Sequence, residues 1–182
     1  ASSLFIYSGV ARPARARQLP RMPAVITAER PDSPDATALI NELQAHLGSL
    51  YPIKSQHGFS VQKLIDQQVM FVVIRVEGRP AGCGGVMLVG QDYAELKRMY
   101  VRPEFRGRKL GEQLIAYLAE HARSHGITRL RLETGIHQVA AIRLYERAGF
   151  KPIPPFADYP EDPLSVCFEK VLPAPSLHRT TH

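Results

Sequence analysis

The hydrophobic and polar positions follow two different periods along the chain. In the first half, short apolar runs rich in β-branched residues predict strands over residues 25–28, 69–76, 81–89 and 94–101. Gly78-Arg79-Pro80 separates the second run from the third, which predicts that these two strands form a hairpin. The N-terminal half of the chain is therefore expected to contribute antiparallel strands.

Helices are predicted between these strands and after them. Ser33 and Pro34 are typical of a helix start, and the apolar stripe that follows them consists of Leu39, Ile40, Leu43 and Leu47. A second, short helix is expected over residues 61–67. After Pro103 the apolar period lengthens to about 3.6 residues, which predicts a long amphipathic helix with a stripe formed by Leu110, Leu114, Ile115, Leu118, Ala119 and Ala122.

The C-terminal part repeats the change between strand and helix. Gly126 is expected to end the long helix, and residues 129–133 alternate as a strand does. A shorter helix is predicted over residues 139–148, ended by Gly149, and the last strands over residues 150–153 and 165–171. Hairpin strands followed by a strand–helix–strand–helix–strand succession predict a single-domain α/β fold, a mixed sheet with helices on both faces.

Length and composition narrow the class of protein. With 182 residues, of which 45% are hydrophobic and 22% charged, the chain has the composition of one globular domain and not of a disordered, collagen-like or coiled-coil protein. No stretch reaches the roughly 18–20 apolar residues of a membrane-spanning helix. Cys83 and Cys167 form neither a Cys-x-x-Cys pattern nor a zinc-ligand pattern, so a cytoplasmic protein without a metal is expected.

The net charge of +6 and the pI near 9.5 would ordinarily suggest a nucleic-acid partner. Residues 1–21 contain four arginines and no acid, and subtracting these four charges leaves +2 for the rest of the chain. We therefore predict a basic, disordered extension over residues 1–21, a domain over 22–172 and a tail over 173–182, and we expect no nucleic-acid partner. A transit peptide, or translated sequence upstream of a start at Met22, are the alternatives for the extension.

The first motif that carries chemistry covers residues 101–111. Here a strand leads into a basic loop with Arg106 and Gly107, and the loop opens directly onto the long helix. Unpaired N–H groups at a helix N-terminus, together with basic side chains and close backbone approach at glycine, favour a phosphate or pyrophosphate group. The spacing fits neither a P-loop nor a G-x-G-x-x-G fingerprint. A basic helix start on a solvated surface is the alternative.

The second motif reads A-x-x-L-Y-E-x-x-G-F from Ala141 to Phe150. Together with the R-G-x-x-x-G loop, it closely resembles the signature regions of the GCN5-related N-acetyltransferase (GNAT) superfamily, in its small bacterial type. The resemblance covers residues 94–151. Two departures stand out: Lys109 replaces the first glycine of the usual R/Q-x-x-G-x-G/A loop, and Gln138 replaces the asparagine that often opens the second motif. A positive φ at Lys109 would strain the backbone.

The resemblance implies that acetyl-CoA, or another acyl-CoA, lies across a V-shaped opening between splayed parallel strands. Its pyrophosphate would lie on residues 106–111. The residues that the resemblance places at this ligand are Met99, Val101, Arg106, Gly107, Arg108, Lys109, Leu110, Gly111, Gln138 and Ala141. The backbone N–H near Met99 would stabilise the charge that develops on the thioester oxygen.

The resemblance also implies two catalytic side chains. Glu95 lies eleven residues before Arg106, at the offset of the family's catalytic glutamate, and would act as general base, directly or through water, for an amine that is protonated at neutral pH. Tyr145 would protonate the leaving thiolate. The structural alternatives are an ion pair of Glu95 with Lys97, Arg98 or Arg131 on a solvated face, and a core position for Tyr145.

The acceptor site is less marked in the sequence. Strand alternation would place Lys97 and Met99 on the face of Glu95 unless a bulge intervenes, and Tyr51 and Tyr159 are further candidate walls. A lysine beside the base favours an anionic amine such as an amino acid. We therefore predict transfer of acetyl from acetyl-CoA to a small-molecule primary amine by direct attack. We also expect a homodimer, because dimers are common among similar proteins. The alternatives are a non-catalytic acetyl-CoA sensor and an acetyltransferase acting on a protein or aminoacyl-tRNA.

Overall fold

The computed structural model describes residues 23–55 and 60–174. The expected terminal segments 1–21 and 173–182 fall wholly or largely outside these ranges, so the domain boundaries stay predictions. Within these ranges, seven strands run in chain order as β1 (Val25–Ala28), β2 (Met70–Val76), β3 (Arg79–Val89), β4 (Tyr93–Val101), β5 (Arg129–Gly135), β6 (Lys151–Ile153) and β7 (Ser165–Val171). Four α-helices accompany them, namely α1 (Pro34–Leu50), α2 (Val61–Asp66), α3 (Leu110–Ser124) and α4 (Val139–Arg147).

The strands form one mixed sheet in the order β1-β2-β3-β4-β5-β7-β6. Every neighbouring pair is antiparallel except β4 and β5, which are parallel and are connected through α3. Such a parallel crossover requires a long connection, and here the helix supplies it. The predicted α/β mixed sheet is confirmed.

Helices cover both faces of the sheet, and each face has its own core. On one face, α1 and α2 bury residues such as Leu39, Leu64 and Phe71. On the other face, α3 and α4 pack against the sheet through a larger cluster that includes Leu114 and Leu132. The helix ends predicted from sequence are also present, because the Ser33 hydroxyl accepts a hydrogen bond from the Ala36 N–H at 3.3 Å and caps α1.

The strand β4 does not alternate over its whole length. Its pairing with β3 shifts register between Cys83 and Gly85, and Arg98 opposite this point has a φ of 53°. This β-bulge leaves Lys97 and Arg98 on the α1 face and turns Met99 to the α3 face, where its side chain packs against the larger core. The simple alternation that put Met99 beside Glu95 is therefore wrong, and the bulged alternative is the one found.

Across the described ranges, every helix is too short or too polar to pass through a lipid bilayer.

Candidate active site

The central feature of the sheet is an opening between β4 and β5. These strands pair only at Ala94 with Leu130 and at Glu95 with Arg131. Beyond these two pairs, β4 continues to Val101 and β5 to Gly135 without further pairing between them in the described register. The two strands diverge towards their carboxyl ends, where the loops that lead into α3 and α4 begin.

A groove of about 550 Å³ extends from this opening over the start of α3 and α4. Of the ten residues that the sequence assigns to the acyl donor, nine line the groove: Met99, Val101, Arg106, Gly107, Lys109, Leu110, Gly111, Gln138 and Ala141. Arg108 is not among the described lining residues, and its guanidinium lies 5.6 Å from the centre of the Phe105 ring. The groove also includes residues that sequence reasoning missed, among them His46, Leu50 and Arg147.

The loop before α3 has the backbone of an anion-binding site. Gly107 has a φ of 75°, and Lys109, the N-cap of α3, has a left-handed conformation with φ 59° and ψ 28°. No side chain caps the helix at this residue, so backbone N–H groups of the first turn remain directed towards the groove. Arg106 and Lys109 add positive charge. A pyrophosphate fits this donor set, because it would supply the acceptors that the helix start lacks.

The second glycine of the loop has a different purpose. A Cβ atom at Gly111 would lie 2.6 Å from Cδ2 of Leu144, so a side chain there would push α4 away from α3. The close contact holds the start of α3 beside the helix that carries Tyr145.

A second, smaller cavity of about 100 Å³ lies on the α1 side of the opening. It shares four lining residues with the groove, namely Leu43, Met99, Gln138 and Tyr145. All three residues that sequence reasoning assigned to the acceptor, Tyr51, Lys97 and Tyr159, line this cavity. The donor groove and the acceptor cavity therefore meet at one junction.

Glu95 lies at the floor of this region in a buried hydrogen-bonded network. The side chain is 2% exposed, and its Oε1 accepts hydrogen bonds from Lys97 Nζ and from the Tyr159 hydroxyl, both at 2.5 Å. Lys97 Nζ also donates to the Tyr159 hydroxyl oxygen at 2.7 Å. The expected ion pair of Glu95 with Lys97 is thus present, but on a buried face and not on a solvated one.

Burial shifts the pKa values of both partners of Glu95. Desolvation lowers the pKa of Lys97, although the neighbouring Glu95 carboxylate opposes this shift. Desolvation and the same carboxylate both raise the pKa of Tyr159, so its hydroxyl keeps its proton at neutral pH. The network holds a carboxylate, a cation and a neutral phenol in mutual contact.

Tyr145 lies at the junction between groove and cavity. Its ring packs against Phe150 and Phe168, with ring centroids 5.7 Å and 6.4 Å away. Burial, with the charge of Glu133 nearby, raises the pKa of the Tyr145 hydroxyl well above its usual range. This side chain is therefore both a core residue and a protonated donor that faces the junction.

Tyr51 forms another wall of the cavity, just after α1. Its hydroxyl accepts a hydrogen bond from the backbone N–H of His137 at 2.8 Å, and its ring stacks on the His137 ring with centroids 5.5 Å apart. The ring crosses Gly135 so closely that a Cβ atom there would overlap it. Tyr51 thus ties the end of α1 to the loop between β5 and α4.

Two charged residues that line the cavity were not predicted from the sequence. Arg98 lines the cavity because of the bulge, and the guanidinium donates to Gln44 Oε1 of α1 at 3.1 Å. Glu133 lines it from β5, on the face opposite the buried Leu130 and Leu132. The alternation of β5 carried the signal for Glu133, whereas no local pattern marks the bulge at Arg98.

The histidine pair on α3 lies away from this site. His121 and His125, four residues apart on α3, have ring centroids 4.5 Å apart. Within residues 23–55 and 60–174, no group of three or more histidine, cysteine, aspartate or glutamate side chains is arranged to hold a metal ion.

The structure thus has the opened parallel strand pair and the basic loop at a helix start that are expected of an acyl-CoA N-acyltransferase. Residues 36–150 match the model of the acetyltransferase (GNAT) family, so the chain belongs to this family and is a GNAT-type N-acetyltransferase. The predicted family membership and enzyme class are confirmed.

Individual relatives support this assignment. The IAA acetyltransferase of Azospirillum brasilense is 40% identical over 153 residues, covering 83% of this chain and 100% of the relative. A crystal structure from Klebsiella pneumoniae, described as an acyl-CoA N-acyltransferase, has a TM-score of 0.70 at 40% identity and covers 82% of this chain and 97% of that one.

A more distant structure shares the fold. The PaiA N-acetyltransferase from Thermoplasma acidophilum, solved in complex with coenzyme A, has a TM-score of 0.64 at 20% identity over 82% of this chain and 99% of that one. The fold found here thus occurs in a protein with coenzyme A bound.

Proposed function

We propose that the protein transfers the acetyl group of acetyl-CoA to the primary amine of a small molecule that also carries a negative charge. The observation that carries the proposal is the junction of groove and cavity at Met99 and Tyr145, beside the buried Glu95 network. Acetyl-CoA would supply an activated thioester carbonyl when bound. The loop from Arg106 to Gly111 would hold its pyrophosphate.

The size and the charges of the cavity support a small acceptor. Its volume of about 100 Å³ is a small fraction of the roughly 550 Å³ of the groove. Lys97, Arg98 and Glu133 are the charged residues among its described lining. A cation pair can hold a carboxylate or phosphate, and a carboxylate can hold an ammonium group, so an amino-acid-like acceptor matches both.

Glu95 serves as the general base in this proposal. An amine with a pKa near 10 is almost wholly protonated at neutral pH and cannot attack a carbonyl until it loses a proton. A positioned carboxylate that takes this proton contributes about 10²–10⁴ in rate. Lys97 holds the Glu95 carboxylate in place through an ion pair and a hydrogen bond.

Tyr145 serves as the general acid. The leaving thiolate has a conjugate-acid pKa near 8.5, as cysteine does, and its departure is easier when a proton is donated. Because burial raises the pKa of Tyr145, its hydroxyl carries a proton across the whole working pH range. Its position in the lining of both groove and cavity supports this role.

The experiment is a CoA-release assay with acetyl-CoA and a panel of amino acids, polyamines and peptides, with IAA included because the name of the Azospirillum relative contains it. Glu95→Gln and Tyr145→Phe are expected to lose about 10²-fold or more in kcat and to keep their affinity for acetyl-CoA. Tyr117→Phe, at an exposed tyrosine of α3 outside both cavities, is the matched control and should behave as wild type.

Three outcomes would contradict the proposal. Turnover of peptides alone would favour a protein acceptor, and acetyl-CoA binding without turnover on any acceptor would favour the sensor. If acetyl-CoA does not bind, the assignment of the groove is wrong.

The cytoplasmic location and the homodimer stay predictions. Cell fractionation tests the location, and sedimentation equilibrium tests the oligomeric state.

A further inference from the structure

The base assigned above lies behind other side chains. Glu95 is 2% exposed, and among the described residues that line the acceptor cavity, Lys97 and Tyr159 are present whereas Glu95 is not. A side chain that contacts both the cavity and the carboxylate can therefore carry a proton from an acceptor in this cavity to Glu95.

Both candidates for this connection contact Glu95 Oε1. Lys97 Nζ and the Tyr159 hydroxyl oxygen each lie 2.5 Å from it. A charged lysine has three donor hydrogens and no lone pair, so it cannot accept a proton while it is paired with the carboxylate as an ammonium. A tyrosine hydroxyl has one donor hydrogen and two lone pairs. Its hydrogen lies on Glu95, and one lone pair accepts from Lys97 at 2.7 Å.

We propose that Tyr159 is a catalytic proton relay between the acceptor amine and Glu95. The N–H bond of the acceptor breaks as an O–H bond forms at the Tyr159 oxygen, while the original Tyr159 O–H bond breaks and its proton binds Glu95 Oε1. Tyr159 ends the step as neutral as it began, the acceptor loses one positive charge, and the carboxylate becomes a carboxylic acid. This inference rests on the proposed function, with Glu95 as the final base.

The charges around Tyr159 require the two transfers to occur together. Burial, Glu95 of β4, Glu133 of β5 and Cys167 of β7 all raise the pKa of the Tyr159 hydroxyl, and Lys97 is the cation in contact with it. A free phenolate is therefore not populated at neutral pH. Because the hydroxyl already donates to the carboxylate, loss of its proton and gain of another need no rearrangement.

Aromatic packing holds Tyr159 in this position. The residue lies on the connection between β6 and β7, and its ring packs edge-on against Phe156 at 5.2 Å between centroids. Phe156 in turn packs against Tyr93 at 5.6 Å, and the Arg131 guanidinium lies 5.4 Å from the Phe156 ring centroid. The proline-rich connection is thus fixed on the sheet, and the hydroxyl of Tyr159 is presented to Glu95.

The test is Tyr159→Phe, which removes the hydroxyl oxygen and keeps the ring that packs on Phe156. We expect kcat/KM for the acceptor to fall about 10²-fold or more near pH 7, as loss of a proton-transfer group does, with unchanged affinity for acetyl-CoA. The deficit should shrink roughly tenfold for each pH unit up to about pH 10, because the free amine becomes available without a base. Tyr93→Phe, in the same aromatic cluster, is the matched control and should show no pH-dependent deficit.

The outcomes separate the relay from the proposed function. If Glu95→Gln is inactive while Tyr159→Phe stays within about threefold of wild type at every pH, the relay is wrong and the base assignment stands. A deficit of the same size at every pH would show a structural role for Tyr159 and would also overturn the relay. If Glu95→Gln keeps full activity, the base assigned under the proposed function is itself wrong.

Discussion

Lys109 offers a direct test of how the loop before α3 is built. It is an exposed N-cap residue with φ 59° and ψ 28°, a left-handed conformation that glycine adopts without strain and lysine does not. Replacing it by glycine restores the usual family residue. We expect Lys109→Gly to raise the free energy of unfolding.

The magnitude follows from two opposing contributions. The left-handed conformation costs a residue with a Cβ atom about 1–2 kcal/mol. Glycine gives back about 0.5–1 kcal/mol, because it loses more conformational entropy on folding. The net gain is therefore about 0.5–1 kcal/mol, or about 2 °C in Tm for a domain of this size.

Lys109→Ala isolates the backbone effect, because both variants remove the same cation but alanine keeps the Cβ atom. Thermal melts of the three proteins should place the free energy of unfolding of Lys109→Gly about 0.5–1 kcal/mol above that of Lys109→Ala, and the preference of N-caps for glycine over alanine adds to this difference. The affinity for acetyl-CoA should fall by the same factor in both variants, because both lack the Lys109 cation. A glycine variant no more stable than the alanine variant would refute the strain argument.

Two further predictions concern packing at Gly111, with Gly48→Ala as its control, and charge at Glu29. Gly111→Ala would place a Cβ atom 2.6 Å from Leu144 Cδ2 and should lower the free energy of unfolding in urea by about 1–3 kcal/mol. Gly48→Ala, with nothing within 4 Å, should raise it by about 0.5–1 kcal/mol; equal stabilities would contradict the contact between α3 and α4. Burial acts to raise the pKa of Glu29, but hydrogen bonds from Arg75 and two hydroxyls outweigh it, and the pKa is lowered from its ordinary 4.5. The stabilisation of the folded state by the ionised Glu29 carboxylate is fully present above pH 4.5, and it is lost as the pH falls through the lowered pKa. Glu29→Gln should thus cost about 1 kcal/mol at pH 7 and nothing once the carboxylate is protonated; a cost independent of pH in urea melts would contradict it.

Local patterns predicted the elements of the fold well. Residues close together in sequence determine helix caps and tight turns, so these features can be predicted before the fold is known. Examples are the Ser33 cap, the hairpin around Gly78 and the helix ends at Gly126 and Gly149. The bulge is different, because Arg98 has a positive φ that its residue type does not signal. Periodicity allows a bulge in β4 but does not locate it, so the face of Met99 stayed open until the pairing of β3 with β4 was known.

The candidate site was predictable where it lies on a motif. The groove residues follow from the loop and the second helix, and Glu95 from its offset to Arg106. The hydrogen-bonded network around Glu95 could not be predicted from the sequence. Tyr159 is 64 residues away from Glu95 and lies on a proline-rich connection. Such contacts depend on how the connection packs on Phe156, and no local period encodes that packing.

The opening between β4 and β5 behaves as an edge inside the sheet. In the described part of the chain, each strand has a partner on its outer side, while the sides that face each other are paired only at two positions. The unpaired backbone groups at the edge of a sheet can pair with a strand of another chain, so edges are normally covered or shortened, which prevents aggregation. Here the unpaired edge lies in the middle of the sheet, between two strands that are paired on their outer sides. An extended ligand with amide groups could use the same backbone donors and acceptors, so a feature that is hazardous at the rim of a sheet would serve as a binding site at its middle.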